Sequence, residues 1–476
     1  MNSLRALTRA LLRNKRWVIH VIVVFLILLF YCRRIEPRRF VRYQSDALQY
    51  VTGAFNMAHH GVFSLYPEIK NPQDRSRKLE PANYRPPGFS SCLAVGFILH
   101  PRLRALSERE AYSRNPHVLR EFYYMQHAFL ILASLITMVM VIRITDSMLL
   151  GWVSMILVLY TTILGTWVNY LFSETLTTLL VTVVAIALYF IAERPSYGRF
   201  LFAGIALGCL TLTRATFYYF IPIPLVLFAW LAWRSVENRR LIVFGALIFF
   251  TCLAATVGSW MNRNYYHFGR FMLARRGGHL LIVRANMNMM TKEEYSAAFW
   301  FWTPPSQLRE FLRHHVDTGA ARRFLWTNPD GFQQVSRKYR SEMDRKHGFT
   351  VADAKQKSEG IRRLASHPLR HLGVCVPLAY RSIMVSNPAY SFFLFISFFA
   401  FSVHAFCKRN MPLLFFLSIG LFNFAFVVFL THSEARYNGP IVPLMLVATC
   451  VLWYTIARSI VGYFFPQRKA NPKNES

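Results

Sequence analysis

Apolar stretches of bilayer length recur along this chain, at about 17–32, 121–142, 148–166, 170–192, 200–213, 217–233, 241–260, 391–407, 411–430 and 440–464. A helix needs about 20 apolar residues to cross the hydrocarbon core, and lipid leaves no other open backbone form available. The pattern therefore predicts an all-α polytopic membrane protein with about ten spans. An eleventh run, Phe89 to Leu99, rises only about 16 Å as a helix and is read as interfacial or re-entrant.

Composition agrees. Over 476 residues the chain is 54% hydrophobic and only 16% charged, where a soluble domain carries about 25% charged residues. The formal charge is +32, which in a soluble protein would suggest nucleic acid. Here the basic residues fall mostly between apolar runs, and no nucleic-acid motif is present. They read instead as topology signals and lipid head-group contacts.

The N-terminus sets the parity. Arg5, Arg9, Arg13, Lys15 and Arg16 precede the first apolar run, and Arg33-Arg34 follows it with no small-residue cleavage site. That fits an uncleaved first span with a cytoplasmic start. Ten spans then place Arg143, Arg194, Arg199, Arg234, Arg239, Arg240, Lys408, Arg409, Arg468, Lys469 and Lys473 inside. They place 33–120 and 261–390 outside, together with the turns near Glu174, Arg214 and 431–439. The expected layout is an N-terminal membrane module over 1–260 with its outer loop at 33–120, an outer cap over 261–390, and C-terminal spans with a cytoplasmic tail over 391–476. The end of the cap, His367 to Asn387, is amphipathic enough to lie along the interface.

Seven Cys are scattered without metal spacing, so no zinc site or disulfide framework is expected. Cys32 and Cys92 are the pair that this topology would allow to meet.

With only 23 acids in the chain, each one on the outer face is informative. Asp46 opens a helical pattern, where it can serve as a first-turn dipole partner or as a general base. Glu174 sits at the outer end of an apolar run, a costly place for a carboxylate unless it is paired or water-facing. Arg214 ends another run; its forked guanidinium suits a phosphate, with snorkelling as the bland alternative. Arg85 leads into Pro86-Pro87-Gly88, a stiff extended turn with a flexible last residue. Asn262-Arg263-Asn264 and Glu434-Ala435-Arg436-Tyr437 complete the set.

Taken in order, these motifs resemble the polytopic GT-C glycosyltransferases. The relevant branch is that of the dolichyl-phosphate-mannose protein mannosyltransferases and the lipid A aminoarabinose transferase. The resemblance spans roughly 17–464 and is thinnest over 290–365. It implies a sugar donor carried on a polyprenyl phosphate, an acceptor that is a glycan, lipid or protein, and an active site on the extracytoplasmic face of a bacterial inner membrane. It further implies Asp46 as the first-loop acid and Glu174 as the outer acid. Arg85, Arg214, Arg263 and Arg436 become candidates for the donor phosphate, and Tyr84, His432, Glu434 and Tyr437 for substrate contact. Many members carry two first-loop acids, whereas Ala47 follows Asp46 here, so a divalent cation is an open possibility and no cofactor is implied. A lipid-linked oligosaccharide polymerase or ligase is the alternative. A flippase or transporter fits less well, because its charges should lie near the bilayer midplane.

Overall fold

The structure is a computed structural model and describes residues 15–36, 45–65, 79–112, 117–275, 277–303 and 319–464. Tyr43, Tyr66, Pro304, Pro305, the first basic residues Arg5, Arg9 and Arg13, and the tail residues Arg468, Lys469 and Lys473 lie outside that set. Among the described residues all regular structure is helical, with no strand.

The principal helices are α1 (Lys15–Cys32), α2 (Ser45–His60), α3 (Gly88–Leu99), α4 (Arg120–Thr145), α5 (Met148–Tyr160), α6 (Glu174–Glu193), α7 (Tyr197–Thr213) and α8 (Pro222–Arg234). They continue as α9 (Arg239–Phe268), α10 (Gly277–Met287), α11 (Lys292–Phe301), α12 (Phe332–Ala365), α13 (Pro368–Ile383), α14 (Pro388–Cys407), α15 (Met411–Leu430) and α16 (Val442–Phe464). Among the described residues seven segments are long and apolar enough to cross a membrane, and the shorter Trp17–Cys32, Met148–Tyr160 and Tyr197–Thr213 occupy the other three expected spans.

Where spans differ from the sequence reading, local chemistry explains it. The run 148–166 breaks at Thr161, whose backbone is extended, and resumes as the short helix Thr162–Trp167. The run near 217–233 opens as a 3-10 turn, Ala215–Phe220, because Pro222 and Pro224 cannot donate to a preceding α turn. Helix α9 continues past 260 to Phe268 and stops where Gly269 takes a left-handed conformation at φ 65. Arg263 therefore stands on the last turns of a membrane helix.

Helices α6 and the final span are the most enclosed, with 61% and 67% of their apolar windows buried. Helix α6 packs against α4, α7, α15 and the turn Gly439–Ile441 that leads into α16. Helix α7 packs closely on α9: a Cβ on Gly204 would strike the Phe249 backbone, and one on Gly208 would strike Thr256. That is the small-xxx-small contact of membrane helix pairs. Helices α2 and α3 form a separate apolar pair through Ala47, Tyr50, Val51, Ala54 and Phe55 on one side and Phe89, Leu93 and Phe97 on the other. Cys32 and Cys92 are both free, so the allowed pair does not form.

The two ends of the bundle differ. At one end Arg143, closing α4, pairs with Glu193, closing α6, at 2.8 Å, and Arg199 bonds the Phe190 carbonyl. The start of α6, the end of α7 and the start of the final span lie at the opposite end. Glu174, Arg214 and Arg436 are the residues there.

Candidate active site at one end of the bundle

Arg85 is a hub. It is only 6% exposed, and its planar fork serves three acceptors: Nη2 donates to Asp46 Oδ1 at 2.5 Å, Nε to Gln49 Oε1 at 2.5 Å, and Nη1 to Tyr50 Oη at 3.1 Å. The acceptors come from α2, where positions 46, 49 and 50 share a face by helical spacing. The Tyr50 ring also lies under the guanidinium at 4.8 Å, and the Tyr84 ring at 5.9 Å. Tyr84 in turn accepts from Arg340 on α12 at 3.2 Å.

The Arg-Pro-Pro-Gly turn is seated against α7. Gly88 lies so close to the Leu212 and Thr213 backbone that a Cβ would come within 2.6 Å. This contact seats the turn that follows Arg85 against the end of α7, where Thr213 precedes Arg214. Tyr50 Oη also reaches Ser173 Oγ at 3.3 Å, which joins the α2–α3 pair to the start of α6 and to Glu174.

A second group surrounds Glu434. Arg436 Nε lies 2.6 Å from Glu434 Oε2, and His432 Nε2 lies 2.9 Å from Glu434 Oε1. Tyr437 Oη approaches His432 Nε2 at 3.3 Å. The Arg214 guanidinium lies over the Tyr437 ring at 5.0 Å, and Arg436 lies over Trp167 at 5.6 Å. The buried Glu174 carboxylate acts electrostatically on Arg436. Arg381 on α13 donates to the His432 carbonyl at 2.8 Å and stacks over Trp302 at 4.8 Å. Burial alone would raise the Glu434 carboxyl, yet His432, Arg436 and Arg381 hold it well below the usual carboxylate range. Burial pulls His432 down against the pull of Glu434, so its neutral ring donates Nε2–H to the carboxylate. His432 Nδ1 and Arg214 Nη1 are buried without a hydrogen-bond partner among the described residues.

The expected residues thus divide. Asp46, Arg85, Tyr84, Glu174, Arg214, His432, Glu434, Arg436 and Tyr437 belong to one connected group. Arg263 is placed differently. Its guanidinium bonds the carbonyls of Ala82 at 2.7 Å and Phe63 at 3.3 Å, and it stacks over Trp260 at 4.7 Å. It fastens Phe63 and Ala82, themselves joined by a backbone hydrogen bond, to α9. Sequence reasoning missed Gln49, Tyr50, Ser173 and Arg381. The first three follow from the helix face of Asp46 and from the neighbour of Glu174; Arg381 stands out as the lone cation in 374–385.

The acids do not gather around a common point. Asp46 faces Arg85 and Glu434 faces Arg436. Among the described residues no group of three or more His, Cys, Asp or Glu side chains could hold a metal ion. Among the described residues this donor set does not fit a divalent cation. Four guanidiniums (Arg85, Arg214, Arg381, Arg436) stand against three carboxylates (Asp46, Glu174, Glu434), which leaves one positive charge in excess. Such an arrangement can hold an anion and present a carboxylate beside it.

No protein-family model and no curated protein matches the sequence. Among solved structures, the chain is similar to the archaeal oligosaccharyltransferase AglB from Archaeoglobus fulgidus in complex with an inhibitory peptide and a dolichol-phosphate, at 13% identity and a TM-score of 0.50. The match covers 96% of this chain and 53% of that one, so this chain spans about half the length of the neighbour. It shares with that protein the GT-C membrane fold.

Proposed function

We propose that this chain is a membrane glycosyltransferase that moves a sugar from a polyprenyl-phosphate carrier to an extracytoplasmic glycan, lipid or protein. The observation that carries the proposal is the joining of Asp46–Arg85 to the Glu174–Arg436–Arg214 group at one end of the bundle, through Tyr50, Ser173 and Gly88.

Displacement at the sugar C1 forms a bond from the acceptor oxygen to C1 and breaks the bond from C1 to the phosphate oxygen. The electron pair of the broken bond remains on the lipid phosphate. The acceptor proton goes to the Asp46 carboxylate, the role of a general base. Arg214 and Arg436 stabilise the phosphate as its charge grows, and Arg214 Nη1 is the buried donor with a valence to give. Arg85 has three of its five N–H donors committed and acts chiefly as the positioning residue for Asp46. Glu174 keeps Arg436 in place, and Tyr84, His432, Glu434 and Tyr437 line the substrate side. Arg263 belongs to the loop's support. The resemblance makes an inverting single displacement the expected course.

Transfer of a lipid-linked oligosaccharide is the second reading, favoured by the activity named for the fold neighbour. It uses the same displacement and the same base. Composition analysis by mass spectrometry of surface glycans, lipids and proteins tests the proposal in a strain lacking the gene, complemented with wild-type or Asp46→Asn protein. One sugar substituent should vanish on deletion and return only with the wild type. Unchanged glycoconjugates in the deletion strain would remove the reading, and restoration by Asp46→Asn would remove Asp46 as the base.

A further inference from the structure

Helix α3 meets the site at its first residue, Gly88, and its other end opens on a separate feature. Val95, Ile98 and Leu99 are exposed there, Leu99 at 74%. The chain then turns from apolar to basic within five residues, His100-Pro101-Arg102-Leu103-Arg104. A cavity of about 420 Å³ lies at this boundary, lined by Ile98, Leu99, Pro101, Arg104 and Ala105. Arg102 is already committed, to Glu121 and to the His117 carbonyl at 2.6 Å. Arg104 is not: it is exposed and makes no side-chain hydrogen bond or ion pair among the described residues.

Two histidines stand beside the rim. His59 and His60 close α2 beside this end of α3; His59 stacks on Phe55 at 4.2 Å and meets Phe97 edge-on at 6.2 Å. The charge of Arg104 reaches His59. Glu121 is shared between Arg102 and Arg120. An apolar wall ending at an unpaired guanidinium matches the two halves of an anionic lipid, an acyl chain and a phosphate. A zwitterionic head group would bring its own cation toward Arg104.

We propose that this cavity binds one anionic membrane phospholipid, with its phosphate on Arg104 and an acyl chain along Ile98 and Leu99. The bound lipid braces the far end of the helix whose near end carries the Arg85 turn. The site stands apart from the transfer reading, and its test reads lipid binding alone.

Native mass spectrometry of the purified full-length protein in detergent, titrated with phosphatidylglycerol or phosphatidylcholine, measures it directly. One phosphatidylglycerol should be retained in preference to phosphatidylcholine. Arg104→Gln should weaken that binding about five-fold, the contribution of one basic residue at an anionic head group, and Arg104→Lys should restore most of it. Arg104 is exposed, so both variants should fold; a thermal melt with and without phosphatidylglycerol gives the second readout. Equal retention of the two lipids, or an unchanged Arg104→Gln, would overturn the proposal. Displacement of the lipid by millimolar inorganic phosphate would also overturn it, by assigning the cavity to a free anion.

Discussion

Gly88→Ala is a small change with a large expected effect. An ideal Cβ at this position would lie 2.6 Å from the Leu212 carbonyl carbon, 2.7 Å from its oxygen and 2.7 Å from the Thr213 nitrogen. Ordinary contact begins at 3.4 Å, so the turn and the end of α7 must separate by 3.4 − 2.6, about 0.8 Å. The neighbours are backbone atoms, which cannot step aside as a flexible side chain would. Overpacking of this kind costs about 1–3 kcal/mol. The displacement also falls where the turn after Arg85 meets the end of α7, and a shift near 1 Å in catalytic geometry costs about 100-fold in rate. Turnover with a polyprenyl-phosphate sugar, measured beside a detergent-phase thermal melt, should therefore fall by one to two orders of magnitude while the protein still folds. Gly258→Ala is the control. It lies within α9 with nothing inside 4 Å of the added Cβ, and should be neutral or stabilising by about 0.5–1 kcal/mol. Gly88→Ala with wild-type turnover, or an equal loss in Gly258→Ala, would refute the seating of the turn on α7.

Three other substitutions probe the remaining parts. Asp46→Asn keeps an oxygen for Arg85 but removes the proton acceptor, so turnover should drop about 10²–10⁴-fold with insertion and melting temperature nearly unchanged. Arg214→Ala should lower kcat/KM for the donor by about 10–100-fold, the value of a charge-assisted hydrogen bond or two to phosphate; unchanged donor kinetics would assign Arg214 to packing on Tyr437. His432 faces Glu434, Arg436, Arg381 and Tyr437, and its ring is held below its ordinary value by burial. The unfolded chain binds that proton first, so the stability from neutral His432 is whole above about pH 6.5 and declines as pH falls below it. The contribution of ionised Glu434, also depressed, is lost at still lower pH. His432→Gln should flatten the melting-temperature slope just below pH 6.5, and an identical slope in the variant would contradict this.

The spans were legible because lipid permits so few backbone forms, and each of the ten expected runs carries a helix. Their breaks were less so. Thr161 interrupts α5 with no proline or glycine beside it, and α9 overran its apolar stretch because Asn262, Arg263 and Asn264 remain helical. The site residues were legible as exceptions, polar groups at one end of greasy runs, but their partners were not. Periodicity assigns a residue to a helix end without saying which other ends stand beside it. The electrostatic reach of Glu174 to Arg436, more than 260 residues on, follows from α6 packing against the turn before α16. Arg263 is the opposite case. Its sequence context resembles that of a ligand-binding arginine, while in the fold Nη1 and Nη2 donate to the Ala82 and Phe63 carbonyls. Sequence also hinted at the α7–α9 contact through Gly204 and Gly208, four residues apart, a signal that hydropathy counting passes over.

In the proposed reaction Asp46 and its guanidinium neighbours transfer a sugar from a lipid phosphate. Purified protein in liposomes, supplied with a polyprenyl-phosphate sugar and a cell-envelope acceptor fraction, tests it by release of polyprenyl phosphate. The wild type should release it, Asp46→Asn should stay near background, and no nucleotide sugar should be needed. Equal release by Asp46→Asn, or turnover only when a nucleotide sugar replaces the lipid donor, would contradict the proposed reaction.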